Sequence, residues 1–296
     1  MSEIFDPQFW EDKWKKAARL GEKRSNKEKI EKWNERADNF NINVSTPSGQ
    51  VRIQETIKFL EEYGALEKAP EATKYILDIG CGPGHYAIEF ARRGYRVYAL
   101  DPAEKMIEKL KEKMSQERAE VCERITPMVE DWLELDIYEQ GFSKIFDLVF
   151  SSMSPATQDV NNLKKAIECS KKYCYISAFA GSPFRKSITT LLERHLGEEK
   201  TLHLDIFYPL NWLYSSGYKP VLCFNDWNRL HRQPKEEAKA EIKKMLEMFI
   251  EVDEKIDKDI EEYVETHEEE GYLTEEKGAT SGMILFDVNG ECCNLV

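Results

Sequence analysis

The chain has 296 residues, of which 41% are hydrophobic and 11% aromatic, and this apolar content excludes a disordered chain. Its 42 Lys and Arg residues against 55 Asp and Glu residues give a formal net charge of −13, which disfavours nucleic acid as a partner because a negative surface repels phosphates. The 7 cysteines include no Cys-x-x-Cys pair, so neither a disulfide framework nor a metal site is predicted. We expect one large α/β domain with appendages.

The first residues lack the basic start and apolar core of a signal peptide. No run in the sequence approaches the ~18 apolar residues that a membrane span requires. The sequence therefore predicts a cytoplasmic protein that has no membrane segment.

Helical periodicity marks the first part of the chain, residues 1–66, as an N-terminal helical cap. Amphipathic helices are predicted from Asp6 to about Asn39, and another over Val51–Tyr63. Between them, Thr46, Pro47, Ser48 and Gly49 predict a loop over Asn41–Gln50.

Short apolar runs that alternate with helical patterns follow in residues 74–180. Such runs are typical of strands buried on both faces, and their alternation with helices predicts a parallel, doubly wound sheet. The predicted strands are Tyr75–Ile79, Val97–Leu100, Ile125–Val129, Ile145–Phe150 and Tyr173–Phe179.

Residues 181–296 are predicted to complete this sheet. Pro220–Asn225 and Met283–Val288 have the composition of strands. Between them, apolar residues at spacings of three, four and seven predict a helical insertion over about 234–270, either a helical hairpin or one long helix.

A glycine-rich turn, Asp78-Ile-Gly80-Cys81-Gly82-Pro83-Gly84, follows the first predicted strand and leads into a helix. Glycines permit a positive φ and close approach of a ligand to the backbone, and a helix N-terminus favours negative charge. Three glycines in five residues lose backbone entropy, and we expect no packing benefit to offset that loss, so a bound ligand is favoured.

A dinucleotide-binding turn, Gly-x-Gly-x-x-Gly, would need its third glycine at position 85, where this chain has His85. Gly-x-Gly-x-Gly with an acid two residues upstream instead resembles the first motif of class I methyltransferases that use S-adenosylmethionine (SAM). The resemblance covers residues 75–180 and implies a mostly parallel, seven-stranded sheet. It also implies that the turn holds the methionine end of SAM.

The resemblance assigns further cofactor contacts. Asp101, after the second strand, would accept hydrogen bonds from both ribose hydroxyls, a geometry that NAD and SAM sites share. Asp131 would bind the adenine amino group, although an Asp at this place could instead cap a helix that begins at Trp132. Met106 would pack on the adenine ring, and Pro102, Glu130 and Trp132 complete the predicted adenosine contacts.

The segment Ser151-Ser152-Met153-Ser154-Pro155 after the fourth strand resembles the family segment that passes the methyl group and the substrate. Ser151, Ser152 and Met153 are predicted cofactor contacts, and Ser154 is a substrate candidate. The segment lacks Asn-Pro-Pro-Tyr and a Pro-Cys pair, which disfavours methylation of adenine, of glutamine amides or of cytosine C5.

Trp33 and Phe40 lie in a segment that the family often folds over the cofactor as a lid, and a plain core role is an equal alternative. His203, Asp205 and Tyr208 are weak candidates for a general base, which only some acceptors need. The resemblance implies methyl transfer from SAM to a small molecule, with S-adenosylhomocysteine (SAH) as product. The alternatives are an RNA or protein methyltransferase, an NAD-linked oxidoreductase and a SAM-binding regulator without catalysis.

Overall fold

The computed structural model describes residues 3–20, 25–68, 70, 72–182, 184–196, 205–226, 229–247 and 250–293. The N-terminal cap consists of a short 3-10 helix, Glu3–Phe5, and the helices α1 (Pro7–Leu20), α2 (Asn26–Ser45) and α3 (Pro47–Glu62). The predicted loop over Asn41–Gln50 is wrong, because α2 continues to Ser45 and α3 begins two residues later. Thr46 alone separates them, where its hydroxyl accepts from the Gly49 N–H and Pro47 fits the first helical position.

Within the described ranges, ten strands form two sheets. They are β1 (Tyr75–Ile79), β2 (Arg96–Asp101), β3 (Ile125–Val129), β4 (Phe146–Ser152), β5 (Ser170–Phe179), β6 (Val221–Asp226), β7 (Arg229–Pro234), β8 (Glu268–Glu269), β9 (Tyr272–Lys277) and β10 (Thr280–Asp287). The larger sheet has seven strands in the order β3-β2-β1-β4-β5-β10-β6, in which β10 runs antiparallel to the other six. This confirms the predicted doubly wound, mostly parallel sheet.

Helices cover both faces of this sheet, so its central strands are buried on both sides, as their apolar sequences predict. One face holds a core of Leu60, Phe90, Phe150 and Tyr175, and the other holds Trp14, Leu163, Leu213 and Ile284. The remaining helices are α4 (His85–Arg92), α5 (Glu104–Met114), α6 (Ala119–Cys122), α7 (Val160–Cys169), α8 (Lys186–Leu196), α9 (Phe207–Ser215), α10 (Lys235–Leu246) and α11 (Glu254–His267); a short 3-10 helix also spans Pro155–Thr157.

The predicted insertion over about 234–270 contains a helical hairpin, α10 and α11, and the structure extends it on both sides into a small antiparallel sheet in the order β7-β9-β8. Its own hydrophobic core joins α8 to the hairpin through Ile188, Ile242 and Ile260. The strands of the small sheet escape a prediction from apolar runs because their sequences, such as Tyr-Leu-Thr-Glu-Glu-Lys in β9, are mostly polar.

Candidate functional site

The candidate site lies at the carboxyl ends of β3, β2, β1 and β4, which are neighbours in the sheet. The glycine turn follows β1, Asp101 ends β2, Asp131 follows β3, and Ser151–Pro155 spans the end of β4. The strand order reverses between β1 and β4, and such a switch point is where open α/β sheets bind ligands. The fold thus brings the four predicted segments to one edge.

The three glycines of the turn all have positive φ, at 70° for Gly80, 54° for Gly82 and 75° for Gly84. A Cβ on Gly80 would lie 2.1 Å from the Ser154 Oγ, and one on Gly84 would lie 2.2 Å from a Leu110 methyl carbon. The expectation that these glycines bring no packing benefit is therefore wrong at two positions, where they admit neighbouring side chains. At Gly82, the nearest atom would be a Phe40 ring carbon at 3.6 Å, an ordinary contact distance.

Asp101 ties the end of β2 to the glycine turn. Its Oδ2 accepts the Gly82 N–H at 2.9 Å, and its Oδ1 accepts the Ala103 N–H at 2.9 Å. Burial raises the pKa of this carboxyl to about 6, and the two backbone N–H groups oppose that rise. Each oxygen keeps a further lone pair, so Asp101 can still accept hydrogen bonds from a ligand.

Asp78 is a buried carboxyl beside the turn, with 2% of its surface exposed. Its Oδ2 has no hydrogen-bond partner. Burial, together with the nearby Asp101 carboxyl, raises the pKa of Asp78 to about 8. A buried carboxyl oxygen without a hydrogen-bond partner destabilises the protein when no ligand is bound. It also provides an acceptor for a cationic or hydrogen-bond-donating group of a ligand.

We expect Asp78→Asn to change the pH dependence of stability. The folded chain holds a proton on Asp78 between pH 3.8 and about 8 that the unfolded chain has lost, so the wild-type free energy of unfolding falls as pH rises through this window. The amide cannot ionise. The free energy of unfolding of the variant, taken relative to that of the wild type, should therefore rise by up to a few kcal/mol from pH 4.5 to pH 8. Urea unfolding at both pH values measures this gain, and an equal difference at both would contradict it.

Lys113 is a contact of the turn that sequence reasoning missed. Its ammonium donates to the Pro83 carbonyl at 2.9 Å and lies 2.8 Å from the His85 Nε2. Burial, with the charges of Lys113 and Arg52, lowers the pKa of His85 to about 4, and burial lowers that of Lys113 to about 8. The start of α4 therefore has a cationic border, which suits an anionic group of a ligand.

Cys81 acts in the turn through its backbone, because its N–H donates to the Leu100 carbonyl at 2.9 Å. Its thiol is buried, and burial raises its pKa well above the ordinary value. The thiol therefore stays protonated and has no nucleophilic character.

Asp131 has two different partners. Its Oδ1 accepts the Leu133 N–H at 3.0 Å within a turn, because no helix begins at Trp132 for Asp131 to cap, and its Oδ2 accepts from the Asn26 side-chain amide at 2.5 Å. Trp132 packs in the core under the Lys165 ammonium, 4.7 Å from its ring centroid, and Glu130 is half-buried.

The predicted lid residues contact the predicted adenine wall. Trp33 and Phe40 of α2 pack against a cluster of Ala37, Ala103 and Met106, and Met106 is 2% exposed. Pro102, which precedes Ala103, is half-buried. The helix α2 therefore lies over the start of α5 and beside the glycine turn.

The segment after β4 is held by serine hydroxyls. Ser151 bonds to Thr157 at 2.9 Å, and Ser152 bonds to Ser177 at 3.2 Å. Met153 has a φ of 53°, rare for a residue with a side chain, and its N–H is held by the Ser177 Oγ at 3.1 Å. Such backbone strain is often found at functional sites.

Further contacts of this segment tie it to its surroundings. The Ser154 Oγ accepts the Ala156 N–H at 3.2 Å while its side chain packs against Gly80. Ser177, on the neighbouring strand β5, is a supporting residue that no local sequence pattern indicates.

Asp205 and Tyr208, two of the candidates for a general base, lie just before α9 and within it. Asp205 accepts the Gly181 N–H at 2.6 Å and the Phe207 N–H at 2.7 Å, so it fastens the start of α9 to the end of β5. Burial, followed by the Asp205 charge, raises the pKa of Tyr208, which makes it a poor base. His203 lies outside the described residues.

Within the ranges that the structure describes, no group of three or more His, Cys, Asp or Glu side chains is arranged to hold a metal ion. Among the helices in those same ranges, none combines the length and apolar character needed to cross a membrane.

Comparison with known sequences connects this geometry to a family. Residues 76–173 match a family model described as a methyltransferase domain. An uncharacterized protein of Haemophilus influenzae is 28% identical over 162 residues, which cover 50% of this chain and 52% of that protein. The chain thus matches about half the length of this curated relative.

Solved structures give remote similarities. Phosphoethanolamine N-methyltransferase 2 of Haemonchus contortus, in complex with SAM, is 16% identical with a TM-score of 0.45, covering 79% of this chain and 52% of that one. Magnesium protoporphyrin IX methyltransferase of Synechocystis, with bound SAH, is 14% identical with a TM-score of 0.46, covering 81% and 83%. The family match over residues 76–173 identifies this part of the chain as a methyltransferase domain, with the sheet topology expected of the class I SAM-dependent methyltransferases.

Proposed function

We propose that this chain binds SAM and transfers its methyl group to a small-molecule acceptor, leaving SAH. The observation that carries the proposal is the convergence of the glycine turn, Asp101, Asp131 and the Ser151–Pro155 segment at one edge of the sheet. The methyltransferase-domain match over residues 76–173 supports it independently.

The side chains present fit the chemical groups of SAM. Asp101 has spare lone pairs for the ribose hydroxyls, and the unpaired Oδ2 of Asp78 offers an acceptor for the ammonium of the methionine end. The N–H groups at the start of α4, bordered by Lys113, suit the methionine carboxylate. Asp131 would accept the adenine amino group.

SAM, when bound, supplies a methyl group already activated by its sulfonium. The protein then needs mainly to hold the acceptor in line with that methyl group and to exclude water. The Ser151–Pro155 segment is suited to this task, because serine hydrogen bonds fix its shape and its hydroxyls are neutral donors and acceptors. Asp205 lines a small cavity together with Thr157 and Ser177, the partners of this segment, and is the candidate base for an acceptor that needs deprotonation.

The acceptor class follows from charge. A net charge of −13 repels the phosphates of RNA and favours a neutral or cationic small molecule.

Isothermal titration calorimetry with SAM, SAH and NAD tests the cofactor. We expect binding of SAM and SAH with dissociation constants of roughly 10 nM to 100 μM, and none for NAD; binding of NAD alone would refute the proposal. Turnover is tested by incubating the protein with methyl-labelled SAM and a small-molecule extract, with Asp101→Ala as control. Labelled product from the wild type only would support an enzyme, whereas cofactor binding without turnover would indicate a regulator.

A further inference from the structure

The helix α2 lies across the groups predicted to bind adenosine. Near its start it contacts Asp131, in its middle it packs on Met106, and farther along the ring of Phe40 reaches the Gly82 backbone. These three contact points belong, respectively, to the predicted adenine-amino, adenine-ring and glycine-turn contacts. One helix therefore engages both predicted adenine contacts and the glycine turn.

The contact at Asp131 has the chemistry of adenine recognition. The Asn26 side chain presents an N–H₂ group to the Asp131 carboxylate at 2.5 Å, as the 6-amino group of adenine would. The start of α2 is fixed in this position by a capping box, in which the Ser25 N–H donates to the Glu28 carboxylate and the Glu28 N–H donates to the Ser25 hydroxyl.

The apolar contact follows the same pattern. The Trp33 indole packs on the cluster that contains Met106, and it meets Phe40 edge-on with ring centroids 5.7 Å apart. An aromatic ring of α2 thus packs on the same small cluster as Met106, the side chain that was expected to cover the adenine ring. Two polar contacts also hold α2 against α5. The Asn34 side-chain oxygen accepts the Lys105 N–H at 3.0 Å, and Asp38 forms an ion pair with Lys109.

We propose that α2 is an intramolecular competitor for adenosine, with Asn26 standing in for the adenine amino group and Trp33 for its ring. The Asp131 Oδ2 keeps a further lone pair, but the packing of α2 in the cluster with Met106 takes the space where the adenine ring would lie, so cofactor binding displaces α2. The apparent dissociation constant for the cofactor is then the intrinsic one divided by the fraction of chains in which α2 is displaced. This inference rests on the proposed function.

A lid that closes over bound SAM would behave in the opposite way. Weakening a lid weakens cofactor binding, whereas weakening a competitor strengthens it. The direction of the change therefore separates the two roles.

The test is calorimetric titration of SAH into the wild type, Asn26→Ala and the control Glu35→Ala, which changes an exposed residue of the same helix. We expect Asn26→Ala to bind SAH about three- to tenfold more tightly, the scale of one lost hydrogen bond, and Glu35→Ala to match the wild type. Unchanged or weaker binding by Asn26→Ala would overturn the competition.

Hydrogen exchange on the unmodified chain gives a second measurement. Adding SAH should speed amide exchange in residues 26–45 if α2 is displaced, and slower exchange there would overturn the proposal. Failure of the two ideas can be told apart. If neither the wild type nor Asn26→Ala binds SAH, the proposed function fails; if both bind it equally, only the competition fails.

Discussion

Replacing Asp101 by Ala is expected to weaken SAH binding by roughly 1.5–3 kcal/mol, or about 10- to 150-fold, measured by calorimetry. The variant loses the carboxylate that would accept the ribose hydroxyls. It also leaves the N–H groups of Gly82 and Ala103 without their partner, so the turn that faces the methionine end is less well held. An unchanged affinity would refute the ribose role.

Two comparisons sharpen this experiment. Asp147→Asn alters an aspartate that likewise accepts a backbone N–H, from Tyr75 at the opposite end of the sheet, and it should leave SAH affinity unchanged. Because the ionised carboxylate is the better acceptor and the pKa of Asp101 is about 6, wild-type affinity should fall as pH drops through that value. Asp101→Ala should lack this pH dependence.

The second large effect is expected from Gly84→Ala, which should destabilise the chain by about 3 kcal/mol in urea unfolding. A φ of 75° costs a residue with a Cβ about 1 kcal/mol, and the overlap with Leu110, whose methyl carbon would lie 2.2 Å away, adds an overpacking cost of about 2 kcal/mol. Leu110 is fully buried and has little room to move.

Gly82→Ala is the matched control for this prediction. Its φ is also positive, but the new Cβ would meet only a Phe40 ring carbon at 3.6 Å, so it should cost about 1 kcal/mol. In a Leu110→Ala background, the cost of Gly84→Ala should fall toward that value, since the overlapping atoms are gone. Equal costs for the two glycine substitutions in the natural background would show that packing against Leu110 plays no part.

The sheet could be predicted because its parallel strands are buried on both faces and therefore appear as apolar runs. The bounds of β1 and β3 agree with those predicted from the sequence. The strands β7 and β9 could not be predicted in this way, because they form a small sheet with mostly polar residues whose pairing depends on the hairpin between them. Helix boundaries failed at Thr46, where residues typical of loops instead start α3.

The residues of the candidate site also fall into two groups, those that a local sequence pattern predicts and those that it does not. Residues that act through local geometry, such as Gly82 and Asp101, could be placed from motif spacing alone. Lys113, Ser177 and Asn26 could not, because each reaches its partner across a long stretch of sequence. Their positions depend on how helices and strands pack, which no local pattern records.

The segment between β6 and β10 has a consequence for how the fold is assembled. Asp226 and Thr280 are paired residues at the adjoining ends of these antiparallel strands, so the chain from 227 to 279 leaves the sheet and returns at the same point. Closing so long a loop costs entropy that grows only with the logarithm of its length, and the hydrophobic core that α10 and α11 share with α8 offsets that cost. A tight turn could join the same two strands. The insertion can therefore vary in length while the pairing of β6 with β10 in the seven-stranded sheet stays the same.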